Sequence, residues 1–241
     1  KIAIIIPSRL NAQRLPNKPL KLINNKEMIL HVYESALSSK AGDVYIATPD
    51  QKVIDIVKNI DGNVIKTSDK HETGTDRVFE VFKNTLNSQP NIIVNLQGDM
   101  PNIQPRAISA LVSYMQQGKC DIGTLASEFS SKDEIQNPNV VKVAVKDKLS
   151  ENIFVNALDF FRIDKNSNDI LYHHVGIYAF TNKALMRYVS LKRSKLEIDR
   201  KLEQMRALEN SMSIHVGYIK SQPLSVDTEE DLIEIKKLME K

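Results

Sequence analysis

Ile2-Ala3-Ile4-Ile5-Ile6-Pro7, followed by Ser8-Arg9-Leu10-Asn11-Ala12-Gln13-Arg14-Leu15-Pro16-Asn17-Lys18-Pro19-Leu20, is the stretch on which the fold turns. Residues 2–6 are an unbroken apolar, largely β-branched run closed by a proline. Such a run has no polar face, so it suits a strand covered on both sides, as in a parallel sheet. Beyond the loop, Ile29, Val32, Tyr33, Ala36 and Leu37 keep helical spacing within 27–38, and 44–48 returns to strand character. That is one βαβ unit.

The alternation continues, with a helix expected at 52–59, a strand at 64–67, a helix at 76–86 and a strand at 92–96. A helix carrying Ile108, Leu111, Val112 and Met115 on one face then precedes a strand near 121–125. The pattern predicts an α/β, Rossmann-like mixed sheet, mainly parallel, with helices on both faces. From Asn137 the alternation loosens. Strands are expected at 140–145, 153–156 and 175–180, a polar loop at 164–169, and a helix with a largely polar surface at 192–206. We read one domain over 1–241 with a small inserted sub-domain at about 137–210. A last helix at 229–239 places Leu232, Ile235 and Met239 on one face.

Composition narrows the function classes. The 33 basic and 30 acidic residues nearly cancel and are interspersed, so no basic stripe calls for nucleic acid. No apolar run approaches the ~20 residues that span a bilayer. Cys120 is the only cysteine, which excludes an internal disulfide and a cysteine metal cluster and suits a reducing compartment, the cytoplasm.

In an open α/β sheet the first strand-to-helix loop lies where ligands bind. Here that loop has no glycine, so it is neither a dinucleotide fingerprint nor a Walker loop. It instead brings Arg9, Arg14 and Lys18 within ten residues. Spacing alone fits either a solvated basic turn or a cradle for a triphosphate. The 92–96 strand ends in Gln97-Gly98-Asp99, where Asp99 is either a turn cap or a metal-binding carboxylate. Val226-Asp227-Thr228-Glu229-Glu230-Asp231 reads as a helix capping box or as a second acid for the same ion. Thr73-Gly74-Thr75-Asp76-Arg77 opens a helix, capped by Thr75 or Asp76 or turned toward an anion.

These segments together resemble the sugar nucleotidyltransferases, and closely the CMP-KDO synthetase (3-deoxy-D-manno-octulosonate cytidylyltransferase) family. The resemblance rests on Ile6-Pro7-Ser8-Arg9 with 14–20, on Gln97-Gly98-Asp99, on 73–77, on Val226-Asp227-Thr228, on His174-Val175-Gly176-Ile177-Tyr178 and on Leu202-Glu203-Gln204-Met205-Arg206. It implies an enzyme that transfers CMP from CTP to the anomeric hydroxyl of KDO, releasing pyrophosphate for lipopolysaccharide synthesis. Lys18, Asp99, Asp227 and Arg9 would be catalytic, with Mg2+ on Asp99 and Asp227. Pro7, Ser8, Arg9, Leu10, Arg14, Lys18, Thr73, Gly74, Arg77, Gln97 and Gly98 would bind the nucleotide. His174, Tyr178, Glu203, Gln204 and Asn156 would face the sugar in the inserted part, which would also dimerise. A homodimer in the cytoplasm is implied.

Several positions depart from the family pattern: Ser8 stands for Ala, Asn17 for Gly, Met100 for Glu, His173 for Arg, and Asn156 for a sugar-gripping Arg. Asn tolerates a left-handed backbone, so the change at 17 need not disturb the loop. Losing a guanidinium is not conservative. It leaves open a related acidic sugar, such as an amino derivative of KDO, or a role for Arg162 from a shifted segment. An inactive nucleotide-binding module is the remaining alternative, and the joint presence of Lys18, Asp99 and Asp227 argues against it.

Overall fold

The structure is a computed structural model that describes residues 1–11, 14–163 and 169–240. Residues 164–168 of the expected polar loop lie outside the described residues. The chain forms two compact units, one of Lys1–Ser109 with Pro223–Lys241 and one of Ala110–Gln222. The sub-domain expected at about 137–210 falls inside the second.

In the first unit, β1 (Ile2–Pro7) leads through the loop and a 3₁₀ turn at Lys18–Leu20 into a small hairpin, β2 (Leu22–Ile23) and β3 (Lys26–Glu27). Then come α1 (Met28–Ser38), β4 (Asp43–Thr48), α2 (Gln51–Asn59), β5 (Val64–Lys66), α3 (Gly74–Glu80) and β6 (Ile92–Leu96). The helix expected at 76–86 ends as an α-helix at Glu80 and continues as a wider π turn over Val81–Thr85. Along α4 (Pro105–Met115) the chain passes out of this unit.

The strands lie in the order β5-β4-β1-β6, each neighbouring pair parallel. The apolar β1 run sits in the middle of that order, with Ile4, Ile5 and Ile6 fully buried. Strand order reverses beside β1, because β4 and β5 are laid down on one side of it and β6 on the other. Loops leaving the carboxyl ends of β1 and β6 therefore diverge, which opens the crevice where such sheets take ligands.

The second unit holds β7 (Ile122–Ser127), α5 (Asp133–Gln136), β8 (Lys142–Val145), β9 (Phe154–Phe161), β10 (Ile170–Thr181), α6 (Asn182–Ser190), α7 (Lys195–Arg200), α8 (Gln204–Glu209) and β11 (Ile214–Tyr218). Its strand order is β10-β7-β11-β9-β8, and β8 also pairs with β10, so the pairings close on themselves. Only β7 and β11 run parallel; the other pairs are antiparallel. β9 and β10 are longer than the apolar runs expected at 153–156 and 175–180. Asn156 and Asp159 break the apolar run of β9, and His173 and His174 precede that of β10, so the apolar pattern marks only part of each strand.

The helix expected at 192–206 with a polar surface is instead two short helices, α7 and α8, broken where Lys201 adopts φ 55°. Lys195, Asp199, Lys201 and Glu209 are exposed, as a polar surface requires, but Glu197 and Arg206 are buried. Glu197 is fully buried and receives Arg206 Nε at 2.8 Å and Nη2 at 2.7 Å, and Arg206 also lies over the Tyr188 ring at 4.6 Å. Burial acts against the Glu197 carboxylate, but Arg206, the Ser194 amide and Arg193 outweigh it and hold its pKa below the usual range.

Back in the first unit, α9 (Glu229–Met239) seats Leu232 and Ile235 among Leu15, Ile23, Met28 and Val226, all buried. Burying each such aliphatic side chain is worth roughly 1.5–3 kcal/mol. That cluster ties the basic loop to the end of the chain.

Candidate active site

Backbone geometry shapes the loop first. Asn17 takes φ 55° and ψ 28°, the left-handed conformation its residue type tolerates, and its amide bonds Leu10 O at 3.2 Å to close the loop. Ser8 N bonds Ala47 O at 2.9 Å, and Leu10 N donates to Asp50 Oδ2 at 2.8 Å. The turn from Asn17 through Leu20 then aims Lys18 inward.

From the far end of the chain, Val226 N reaches Asp99 O at 2.9 Å, which places Asp227 beside Asp99. The capping box of α9 is formed by Thr228 and Asp231, and Asp231 also receives the Asp227 amide at 2.9 Å. Asp227 is thus released from capping, and its carboxylate faces the loop.

The three side chains meet. Lys18 Nζ donates to Asp99 Oδ2 at 2.9 Å and to Asp227 Oδ1 at 3.0 Å, while Arg14 Nη2 holds the other Asp227 oxygen at 3.0 Å. Burial pulls the Lys18 ammonium toward neutrality, yet the charges of Asp99 and Asp227 reverse this and raise its pKa. Burial likewise opposes the Asp227 carboxylate, and Lys18 and Arg14 overcome it and lower its pKa. Lys18 and Asp227 therefore both carry charge at neutral pH.

Beside this cluster opens a cavity of about 680 Å³. Of the residues expected to bind the nucleotide, Pro7, Ser8, Arg9, Arg14, Lys18, Thr73, Gly74, Arg77, Gln97 and Gly98 line it, together with Asp99 and Asp227. Leu10 lies off the wall, with its amide engaged by Asp50. An added Cβ at Gly98 would stand 2.9 Å from Ile29 Cδ1, so glycine here leaves room for the α1 side chain packed behind it. One at Gly74 would meet Pro7 Cγ at 3.3 Å. Gln97 Nε2 donates to Asn95 Oδ1 at 3.0 Å, and buried Asn95 donates to Thr75 Oγ1 at 3.3 Å, which orients the Gln97 amide.

The cap of α3 is Thr73, whose hydroxyl accepts from Asp76 N at 3.1 Å, not Thr75 or Asp76. Arg77 is buried under the wall and bonds Thr67 Oγ1 and, at 2.9 Å, Ser68 O. Its own pKa is lowered by burial first and by the Arg9 charge second.

Asn11, His71 and Glu72 also line the cavity, and sequence reasoning missed them. The one signal for His71 and Glu72 was a titratable run just before the α3 cap, while Asn11 stands in the basic loop. His71 Nε2 pairs with Glu80. Burial works against the Glu80 carboxylate, but this pairing and the Ser68 amide prevail and lower its pKa.

The residues expected on the sugar side all lie in the second unit. His174 and Tyr178 on β10 have ring centroids 5.4 Å apart, and Glu203 is close enough to add to the rise that burial imposes on the Tyr178 hydroxyl. His174 is buried, meets Thr124 Oγ1 through Nε2 at 2.9 Å, and has its pKa lowered to about 3 by burial, so it is neutral at physiological pH. Gln204 is buried at the start of α8, and Asn156 is exposed on β9 opposite His215. Arg162 donates to Pro138 O and Asn139 O, both at 3.3 Å. His173 bonds Glu134 and Gln222 at 2.9 Å each.

A parallel sheet with acids at its switch point, facing a basic loop across a cavity, is the architecture of a nucleotidyltransferase. The likeness is close to a solved CMP:2-keto-3-deoxy-manno-octonic acid synthetase complexed with CTP, with TM-score 0.88, 35% identity, and 99% of this chain and 98% of that one covered. A UDP-glucose pyrophosphorylase complexed with UDP-glucose shares the fold at TM-score 0.70 and 14% identity. A family model described as cytidylyltransferase matches residues 3–214. Proteins of Brucella ovis and Rhodopseudomonas palustris named 3-deoxy-manno-octulosonate cytidylyltransferase are each 42% identical; they cover 96% and 95% of this chain, and 93% and 94% of their own lengths. The chain belongs to the cytidylyltransferase family, in its 3-deoxy-manno-octulosonate branch. Among the described residues no helix is long and apolar enough to cross a membrane.

Proposed function

We propose that this protein transfers the CMP half of CTP to the anomeric hydroxyl of KDO and releases pyrophosphate. The observation that carries the reading is Lys18 Nζ lying 2.9 Å from Asp99 and 3.0 Å from Asp227 at the edge of the cavity. Its support in comparison is the kinship with proteins named for this reaction.

In this reaction the sugar oxygen attacks the α-phosphorus as the bond to the β-phosphate bridging oxygen breaks. Little covalent work falls to the protein, and positioning and charge neutralisation dominate. Arg9, Arg14 and Lys18 would gather the triphosphate and offset charge on the departing pyrophosphate. Gln97, held by Asn95, would present its amide to the base. Asp99 and Asp227 offer hard oxygens to magnesium, which accepts one or two carboxylates and fills the remaining positions with water and phosphate oxygens. When bound there, magnesium would polarise the attacking hydroxyl and the α-phosphate. No group of three or more metal-binding side chains occurs among the described residues, so a site needing a larger protein donor set does not fit.

The same reading includes a homodimer in the cytoplasm, supplying lipopolysaccharide synthesis. Neutral, exposed Asn156 and the turning of Arg162 onto backbone carbonyls favour a second reading, in which the acceptor is a related acidic sugar. Pyrophosphate release from CTP with KDO, its amino derivative and other acidic sugars, with and without magnesium, separates the two. Absence of release with every sugar would leave only a nucleotide-binding module.

A further inference from the structure

Among the described residues, one buried side-chain polar atom has no hydrogen-bond partner, and it lies on the cavity wall. Ser8 stands between Pro7 and Arg9 at the carboxyl end of β1 and lines the cavity at only 6% exposure. Its amide is committed to Ala47 O, but its Oγ is screened from solvent and has no hydrogen-bond partner among the described residues. A hydroxyl in that state is costly, because it has given up water and gained nothing in exchange. Its neighbours are satisfied: Gln97 by Asn95, Asn95 by Thr75, Arg77 by Thr67 and Ser68, and Lys18 by the two acids. A serine needs only a turn about one side-chain bond, between staggered positions, to re-aim its hydroxyl.

We propose that Ser8 is a nucleotide-binding residue through its side chain, whose hydroxyl turns from its unpartnered position to donate to an acceptor on bound CTP. The inference rests on the CTP reading of the cavity and adds to it a contact that an alanine here could not make. A buried polar atom without a partner is a stability defect that a ligand can cure, and among the described residues of this wall Ser8 Oγ alone is in that condition. The acceptor is a phosphate oxygen or a group of the nucleoside; both lie within what the cavity is argued to hold.

The test is Ser8→Ala in the full chain, with calorimetric affinity for CTP, CMP, cytidine and inorganic tripolyphosphate, and thermal denaturation without ligand. Removing an unpartnered hydroxyl should leave the free protein as stable as before or more so. CTP affinity should nevertheless fall by about 3–10-fold, the worth of one hydrogen bond. If the acceptor is a phosphate, tripolyphosphate weakens in step with CTP; if it belongs to the nucleoside, cytidine and CMP weaken and tripolyphosphate does not. Equal or tighter binding of CTP by Ser8→Ala, with the wild type binding normally, overturns the Ser8 contact and leaves the function intact. Failure of the wild type to bind CTP overturns both.

Discussion

Replacing Lys18 by methionine, which keeps the stem and removes the charge, should make the free protein bind magnesium more tightly while nearly abolishing turnover. The ammonium donates to Asp99 at 2.9 Å and to Asp227 at 3.0 Å, the two carboxylates proposed above to share a cation. At an effective dielectric near 20, a charge about 3 Å away amounts to roughly 5.5 kcal/mol. Asp227 is 39% exposed, so water screens part of that. Charge-assisted hydrogen bonds measured by mutation, about 1.5–3 kcal/mol each, are the better guide. An incoming metal must displace at least one of them, so Lys18→Met should raise metal affinity in the absence of nucleotide by about 10–100-fold.

Manganese binding followed by electron paramagnetic resonance, and magnesium binding by calorimetry, read that affinity directly. A second readout is independent of affinity. Without Lys18 the two carboxylates confront each other, so the variant should melt lower than wild type in chelator and recover most of the difference as magnesium saturates it. Unchanged or weaker metal binding, with no magnesium-dependent recovery in melting temperature, would show that the two acids do not share an ion and would refute the reasoning.

Three further outcomes follow from the same contacts. Asp99→Asn should lower turnover by at least about 100-fold with unchanged secondary structure by circular dichroism, since it removes the principal partner of Lys18 and, on the proposed reading, one of two donors to magnesium. Glu197→Gln should cost about 3–5 kcal/mol in urea denaturation, because it strands a buried guanidinium; since the Glu197 pKa is lowered on folding, its contribution is present above the unfolded value and lost as pH falls through the folded one, so the variant's stability should be flatter on the acid side. For His174 the folded pKa of about 3 lies below the ordinary 6.5, so the unfolded chain takes up the proton first and stability drops as pH falls below about 6.5; His174→Gln should flatten that limb in denaturant titrations, and an unaltered limb would assign it to other groups.

How much of this could be read beforehand depends on the range over which each cause acts. The β1 strand, the basic loop, Gln97-Gly98-Asp99 and the α9 start are written locally, by an apolar run, a charge cluster, a glycine turn and a capping box, and they were visible. Asp50 anchors the Leu10 amide from forty residues away, and His71 with Glu80 and Arg77 with Ser68 pair across nine; no periodicity or capping signal specifies these partners. The 192–206 stretch misled for a related reason. A dense run of charges looks solvated until the partners are known, and here Glu197 and Arg206 satisfy each other inside. The meeting of Asp227 with Lys18 belongs to a third kind. Leu15, Ile23, Met28, Val226, Leu232 and Ile235 are each recognisable as apolar positions, but only their packing against one another decides which ends of the chain come together. The cluster seats Val226, whose amide then bonds Asp99 O and sets Asp227 beside it. Substitutions in that cluster should therefore impair the chemistry without touching any charged residue of the site.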